Sequence, residues 1–162
     1  MTRKILWTVA FIASIIAANT LTSTLGLVPI GFGLMVTAGT FAAGFALVAR
    51  DGVQVAAGKA WAIAAVIVGA VISAVTSNPA IALASGIAFL VSELVDLAVF
   101  TPLRNKNLPA AVLVSSVVSA PVDTVLFLAI AGFGVTWQAV LGQFIVKTVI
   151  ALIAAAVISA RK

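Results

Sequence analysis

PAIALASGIAFLVSELVDLAVFTPL, from Pro79 to Leu103, is long and apolar enough to cross a lipid bilayer, yet carries Glu93 and Asp96 near its middle. A membrane helix needs about 20 mostly apolar residues. A carboxylate at mid-bilayer costs about 2.5–3.5 kcal/mol on insertion scales. Two more ionisable residues, Asp123 and Lys147, interrupt apolar runs further along the chain. Facing lipid, the four would cost about 10–14 kcal/mol, comparable to the stability of a whole domain. They are therefore expected to face one another, a cavity or a ligand.

Working outward, the same test yields six spans: Ile5 to Leu25, Pro29 to Ala49, Ala60 to Thr76, Pro79 to Leu103, Leu108 to Phe133 and Thr136 to Ala160. Turn chemistry separates them at Gly26 with Pro29, at Asn78-Pro79, and from Asn105 to Pro109. Of the 162 residues, 64% are hydrophobic and 8% charged, against about 25% charged in a soluble domain. The expected fold is all-α: a polytopic six-helix membrane bundle forming one domain over residues 1–162.

Basic residues set the orientation. Arg3 and Lys4 precede the first span, Arg50 and Lys59 follow the second, Arg104 and Lys106 follow the fourth, and Arg161 and Lys162 end the chain. Eight of the nine thus fall on one side, and the positive-inside rule puts both termini in the cytoplasm of a cell whose inner or plasma membrane holds the protein. On this reading Arg50-Asp51 sits in a solvated turn. The net charge of +5 is a topology signal and gives no reason to expect nucleic acid. Arg3-Lys4 followed by Ile5 to Ala18 has the make-up of a signal peptide, but its removal would leave an odd number of spans, so an uncleaved first helix is expected. Trp7, Trp61 and Trp137 each fall near a span end, as in an interfacial belt. Ala65, Gly69 and Ser73, and Ala151, Ala155 and Ser159, form small-residue stripes that permit close helix packing.

The chain has no cysteine and no histidine, so thiolate and imidazole metal sites are excluded. No phosphate loop, nucleophile elbow or triad spacing occurs, and neither an enzyme nor a cofactor is expected. What remains is a polar constellation. Ser92, Glu93 and Asp96 share a face of the fourth helix, and Gln143 and Lys147 share one of the sixth. Ser92-x-x-Val95-Asp96-x-x-x-Phe100 recurs 27 residues later as Ser119-x-x-Val122-Asp123-x-x-x-Phe127. The second copy contains Pro121, whose missing donor is expected to kink the helix beside Asp123 and Thr124. Antiparallel helices bearing one motif can meet with pseudo-twofold geometry, as in repeat-built transporters. The expected pairing is Lys147 with Asp123, with Glu93 close by. Asn19, Thr20, Thr22, Ser23 and Thr24 suit either the outer mouth of a cavity or a helix end meeting water. Gly31 and Gly33 are expected to loosen the start of the second helix.

Three strings carry a resemblance: ASGIAFLVSELVDLAVF from Ala84, SSVVSAPVDTVLFLAIAGFG from Ser115 and GQFIVK from Gly142. Together they resemble the queuosine-precursor transporter family, also called the vitamin-uptake-like family, whose helices carry Ser-Gln-x-x-Asp twice, a following Asp-Thr and a Gly-Gln…Lys element. Ser92, Asp96, Ser119, Asp123, Thr124, Gln143 and Lys147 match those positions, while Glu93 and Ala120 stand in place of the glutamines. Asp51 and Gly58 keep a family spacing after the second helix, where Val55 replaces an acidic residue. The resemblance implies uptake of a 7-deazaguanine nucleobase such as 7-cyano-7-deazaguanine.

The chemistry of such a base suits these residues. A carboxylate accepts the paired donors of a guanine edge in a bidentate, charge-assisted contact. Asp123, Asp96 and Glu93 are candidates for it, Gln143 for the acceptor edge, and Phe89, Phe100 and Phe127 for stacking. Two other readings compete. One is the substrate-binding component of an energy-coupling-factor vitamin importer, which needs an ATPase and a scaffold partner. The other is a structural or pore-forming bundle. A homo-oligomer is compatible with all three.

Overall fold

A computed structural model describes residues 2–160, so Arg161 and Lys162 of the orientation argument lie outside the described residues. Six helices and one hairpin make up the described residues. They are α1 (Thr2–Leu25), β1 (Leu27–Gly31), β2 (Leu34–Thr37), α2 (Thr40–Ala57), α3 (Lys59–Thr76), α4 (Pro79–Arg104), α5 (Leu108–Ile130) and α6 (Trp137–Ala160).

Helix starts follow from side-chain caps. The Asn78 side chain accepts from the amides of Ala80 and Ile81, and Asn107 does the same for Ala110. Each is followed within two residues by a proline, where a missing N–H costs nothing. Thr136 Oγ1 accepts from the Ala139 amide at the start of α6. Gly58, at φ +86°, is the only residue between α2 and α3, a conformation that L side chains rarely adopt. Helix α5 runs through Pro121 without interruption.

Among the described residues five helices, all but α2, are long and apolar enough to cross a membrane. Their outward faces carry Val75, Leu83, Leu94 and Ile153, each more than half exposed, which suits contact with acyl chains. The helices form a closed circuit in which α1 packs on α2, α2 on α6, α6 on α5, α5 on α4, α4 on α3, and α3 back on α1. Buried Phe11, Leu47, Val53, Val66 and Phe89 build one apolar cluster, with the Phe11 and Phe89 rings 5.5 Å apart. A second joins Phe100, Ala111 and Val112 to Leu103, Ala154 and Ile158.

Contacts fix which connections share a face. Trp61 at the start of α3 donates to Thr8 near the start of α1, and the Lys4 ammonium lies 3.4 Å from the Trp61 ring centre. The α4–α5 turn packs on the end of α6. The start of α1, the α2–α3 and α4–α5 turns and the end of α6 therefore lie on one face, here called the basic face. At the opposite face the Asn78 amide donates to Ser23 near the end of α1, and Gly142 near the start of α6 abuts the hairpin.

The second span departs from expectation. Residues from Pro29 do not begin a helix; they form an antiparallel hairpin pairing Leu27 with Thr37, Val28 with Val36 and Pro29 with Met35. Gly31, Phe32 and Gly33 all have positive φ and make its turn, so the two glycines reverse the chain instead of loosening a helix. Helix α2 starts at Thr40 and continues past Ala49 to Ala57. Arg50 and Asp51 are consequently buried inside a helix, not solvated in a turn. Of the tryptophans, Trp61 and Trp137 keep exposed, rim-like positions, whereas Trp7 packs against Gly52 and the core around Phe11.

Candidate functional site

All four acidic residues of the chain are buried within the bundle, with Arg50 and Lys147, and none of the six is more than 6% exposed. They sort into two layers.

The layer nearer the hairpin centres on Lys147. Its ammonium donates to Asp123 Oδ2 at 2.7 Å and to Thr124 Oγ1 at 2.8 Å, tying α6 to α5. Gly44 of α2 makes room for this: a Cβ there would meet Ile150 Cδ1 at 2.6 Å and the Lys147 Cα at 3.4 Å. The pair borders a cavity of about 30 Å³ lined by Asn19, Asp123, Gln143 and Lys147, the rings of Phe89 and Phe127, and Thr37 and Gly39 beside the hairpin. Asn19 donates to Ser73 Oγ at 2.7 Å. The Gln143 amide nitrogen is buried with no protein acceptor. A volume this small holds about two waters, against roughly 300–1,000 Å³ for a ligand pocket, so this conformation leaves no room for a ligand-sized molecule.

Toward the basic face lies a second layer around Arg50. Its Nη1 donates to Asp96 Oδ2 at 2.7 Å and to Gln54 Oε1 at 3.4 Å, and lies 3.0 Å from Asp51 Oδ1. Its Nε lies 2.7 Å from Glu93 Oε2. The contacts to Asp51 and Glu93 are ion pairs without the alignment of a hydrogen bond. Ser119 Oγ approaches Asp96 Oδ1 at 3.5 Å. The two layers are joined through helix geometry: Phe89 and Glu93 on α4, and Ser119 and Asp123 on α5, are each four residues apart, about 6 Å along the axis.

Of the residues singled out in the sequence, Asn19, Asp123, Phe127, Gln143 and Lys147 meet at the cavity, and Thr124 supports Lys147. Glu93 is not beside Lys147: with Asp96 it belongs to Arg50, because α2 runs about two turns further than its apolar run suggested. Ser92 bonds the Phe89 carbonyl at 3.0 Å, and Phe100 lies in the apolar cluster with Val112, apart from the cavity. The repeated motif is thus half used across the α4–α5 seam: Ser119 reaches the aspartate of the other copy, and Ser92 does not. Sequence reading does not pick out Gln54 or Thr37, sets Arg50 and Asp51 in a solvated turn, and gives Ser73 only a packing role. Its one signal for Arg50 was an imbalance, three buried carboxylates set against a single lysine.

Breaking either ionic layer by removing one partner leaves an uncompensated buried charge, about 3–5 kcal/mol. Both layers can therefore hold the bundle together only while every member has a counter-charge or a proton. What they add chemically is a carboxylate, an ammonium, an unpartnered amide and two aromatic rings around one internal space.

No curated protein and no solved structure matches the chain. A family model does: residues 1–160 match the one described as "Putative vitamin uptake transporter". With that match spanning nearly the whole chain, on a bundle of helices long and apolar enough to cross a membrane, this multi-pass membrane protein belongs to the vitamin uptake transporter family.

Proposed function

We propose that the protein imports a 7-deazaguanine nucleobase, such as 7-cyano-7-deazaguanine, across the cell's inner or plasma membrane, with the cavity beside Lys147 as its binding site. The observation that carries this reading is the convergence of Asp123, Lys147, Gln143 and Asn19 with Phe89 and Phe127 on one internal space. Asp123 accepts the paired N–H donors of the base edge, Gln143 and Lys147 donate to its carbonyl and ring nitrogen, and the phenyl rings cover its flat faces. Hydrogen bonds to ionised groups are the stronger kind, contributing about 1.5–3 kcal/mol each.

The ion pair gives the site a way to open and close. In the occluded state Lys147 satisfies Asp123. Entry of the base substitutes its own donors at Asp123 and leaves Lys147 on Thr124 and the ligand. The helices separate to admit it, since the base exceeds the present volume. The hairpin, which brings Thr37 to the cavity, closes the site from its own face, and the Arg50 layer closes it from the basic face. Both chain termini are cytoplasmic in this account, which directs the hairpin outward.

The test is uptake by cells that depend on an external deazaguanine precursor. Expression of this chain alone restores uptake of 7-cyano-7-deazaguanine, and Asp123→Asn abolishes it. Normal uptake by Asp123→Asn excludes this site. A requirement for an added ATPase and scaffold transfers the protein to the energy-coupling-factor class.

A further inference from the structure

We propose that the Arg50 layer is a proton-binding site, with the proton held between Asp51 and Glu93 and exchanged with water through a groove on the basic face. The argument begins with charge. Three carboxylates, Asp51, Glu93 and Asp96, crowd one guanidinium in a buried setting. With every group ionised, the layer carries −3 against +1. A buried charge without a partner neutralises instead of persisting. Among the described residues the surroundings supply no further buried cation. Gln54 and Ser119 are neutral, Lys147 is committed to Asp123, and Lys59 is exposed at the start of α3.

Geometry identifies which carboxyls hold the proton. Asp96 accepts a 2.7 Å hydrogen bond from Arg50 and has Ser119 as a second donor, so it is the anion the site is built to hold. Neither oxygen of Asp51 nor of Glu93 has an aligned hydrogen bond, although both residues are 3% exposed. The Gln54 amide nitrogen, one turn beyond Asp51 on the same helix face, is buried beside the cluster and also lacks an acceptor. Unsatisfied donors and acceptors together in one buried place are what an exchangeable proton requires.

Access comes through Gln54. It borders a solvent-open groove of about 540 Å³, formed by Ala57, Gly58, Arg104, Asn105 and Leu108 between the α2–α3 and α4–α5 turns. Asp51 does not itself line the groove, so exchange requires the Gln54 side chain to swing aside and admit water; a hydronium then gives its proton to an Asp51 carboxylate oxygen, leaving water and a neutral carboxyl. Return of the proton to water reverses the step. On the other side, Glu93 and Ser119 stand one turn from cavity-lining Phe89 and Asp123, so a change of charge in this layer acts on the helices that close the cavity. Proton binding stands on the cluster itself; its coupling to import rests on the function proposed above.

The experiment has two arms. Infrared difference spectra of the purified protein across pH are expected to show a titrating carbonyl band of a protonated carboxyl, lost or shifted in Asp51→Asn and in Glu93→Gln. Both variants mimic the protonated form and keep the packing. Absence of such a band, or a band unchanged in both, overturns the site. In proteoliposomes, an inward proton gradient is expected to accelerate uptake of 7-cyano-7-deazaguanine severalfold. Asp51→Asn is expected to lose that acceleration while retaining counterflow exchange of the same base. Wild-type uptake indifferent to the gradient, or driven by sodium alone, overturns the coupling and leaves the substrate reading intact. A titrating band with no transport of the base overturns the substrate reading and leaves the proton site intact.

Discussion

Lys147 on α6 donates to Asp123 on α5 at 2.7 Å, with both side chains shielded from solvent and Thr124 as the ammonium's one other partner among the described residues. This pair is at once a structural tie and the proposed ligand contact, and the two roles separate by mutation. Asp123→Asn or Lys147→Met alone strands a buried charge and is expected to cost about 3–5 kcal/mol. The double variant is expected to recover most of that stability, because neither charge remains, yet to stay inactive. Thermal unfolding in detergent, read beside uptake, checks both halves; a double variant no more stable than the singles contradicts the pairing.

Arg50 serves two carboxylates from different atoms of one planar fork, Nε toward Glu93 and Nη1 toward Asp96. A lysine has one point charge and cannot reproduce that geometry. Arg50→Lys is therefore expected to destabilise the protein, and Arg50→Met to do so more severely, by at least about 3–5 kcal/mol. Adding Asp96→Asn to Arg50→Met removes one of the stranded anions and is expected to raise the unfolding temperature again. Failure of that rescue contradicts an electrostatic role for Arg50.

The hairpin seals the cavity only while it lies tightly on α6. Gly142 makes this possible, since a Cβ there would strike the Met35 carbonyl oxygen. Gly142→Ala is expected to cost about 1–3 kcal/mol through overpacking and to lift the hairpin. Thr37, now 2% exposed, reports the change. As Thr37→Cys it is expected to resist a membrane-impermeant maleimide in the parent and to react once Gly142→Ala is added.

The chain lacks cysteine, so single cysteines map its faces without background. Cysteines replacing Phe32 and Val135, both more than half exposed, are expected to label from outside intact cells. Replacements of exposed Lys59 and Lys106 are expected to label only after permeabilisation. The reverse pattern contradicts the cytoplasmic assignment of the basic face.

Much of this architecture is legible in the residues. Five helices have the expected ends to within three residues, α5 stopping at Ile130 and not Phe133, because a bilayer leaves few other ways to satisfy the backbone. Asp123 and Lys147 are readable as partners because a charge inside an apolar run must find one. The region from Pro29 to Ala57 is not readable in the same way. Its apolar residues fit a span by composition alone, and the Gly31-Phe32-Gly33 turn is visible only if the flanking runs are tested for strand pairing. Arg50-Asp51 looks like the edge of a membrane because the positive-inside rule rewards basic residues at span ends. Three carboxylates against one lysine inside apolar runs is the one local sign that a second buried cation exists. The pairing of Arg50 with Glu93 and Asp96 is a long-range contact, which no local pattern encodes.

The most direct test of the account is equilibrium binding of 7-cyano-7-deazaguanine to the purified protein, wild type against Asp123→Asn. The wild type is expected to bind saturably. Loss of the charged acceptor is expected to weaken binding by about 1.5–3 kcal/mol, roughly ten- to a hundredfold. Equal affinity of the two proteins, or no binding to the wild type, contradicts the account.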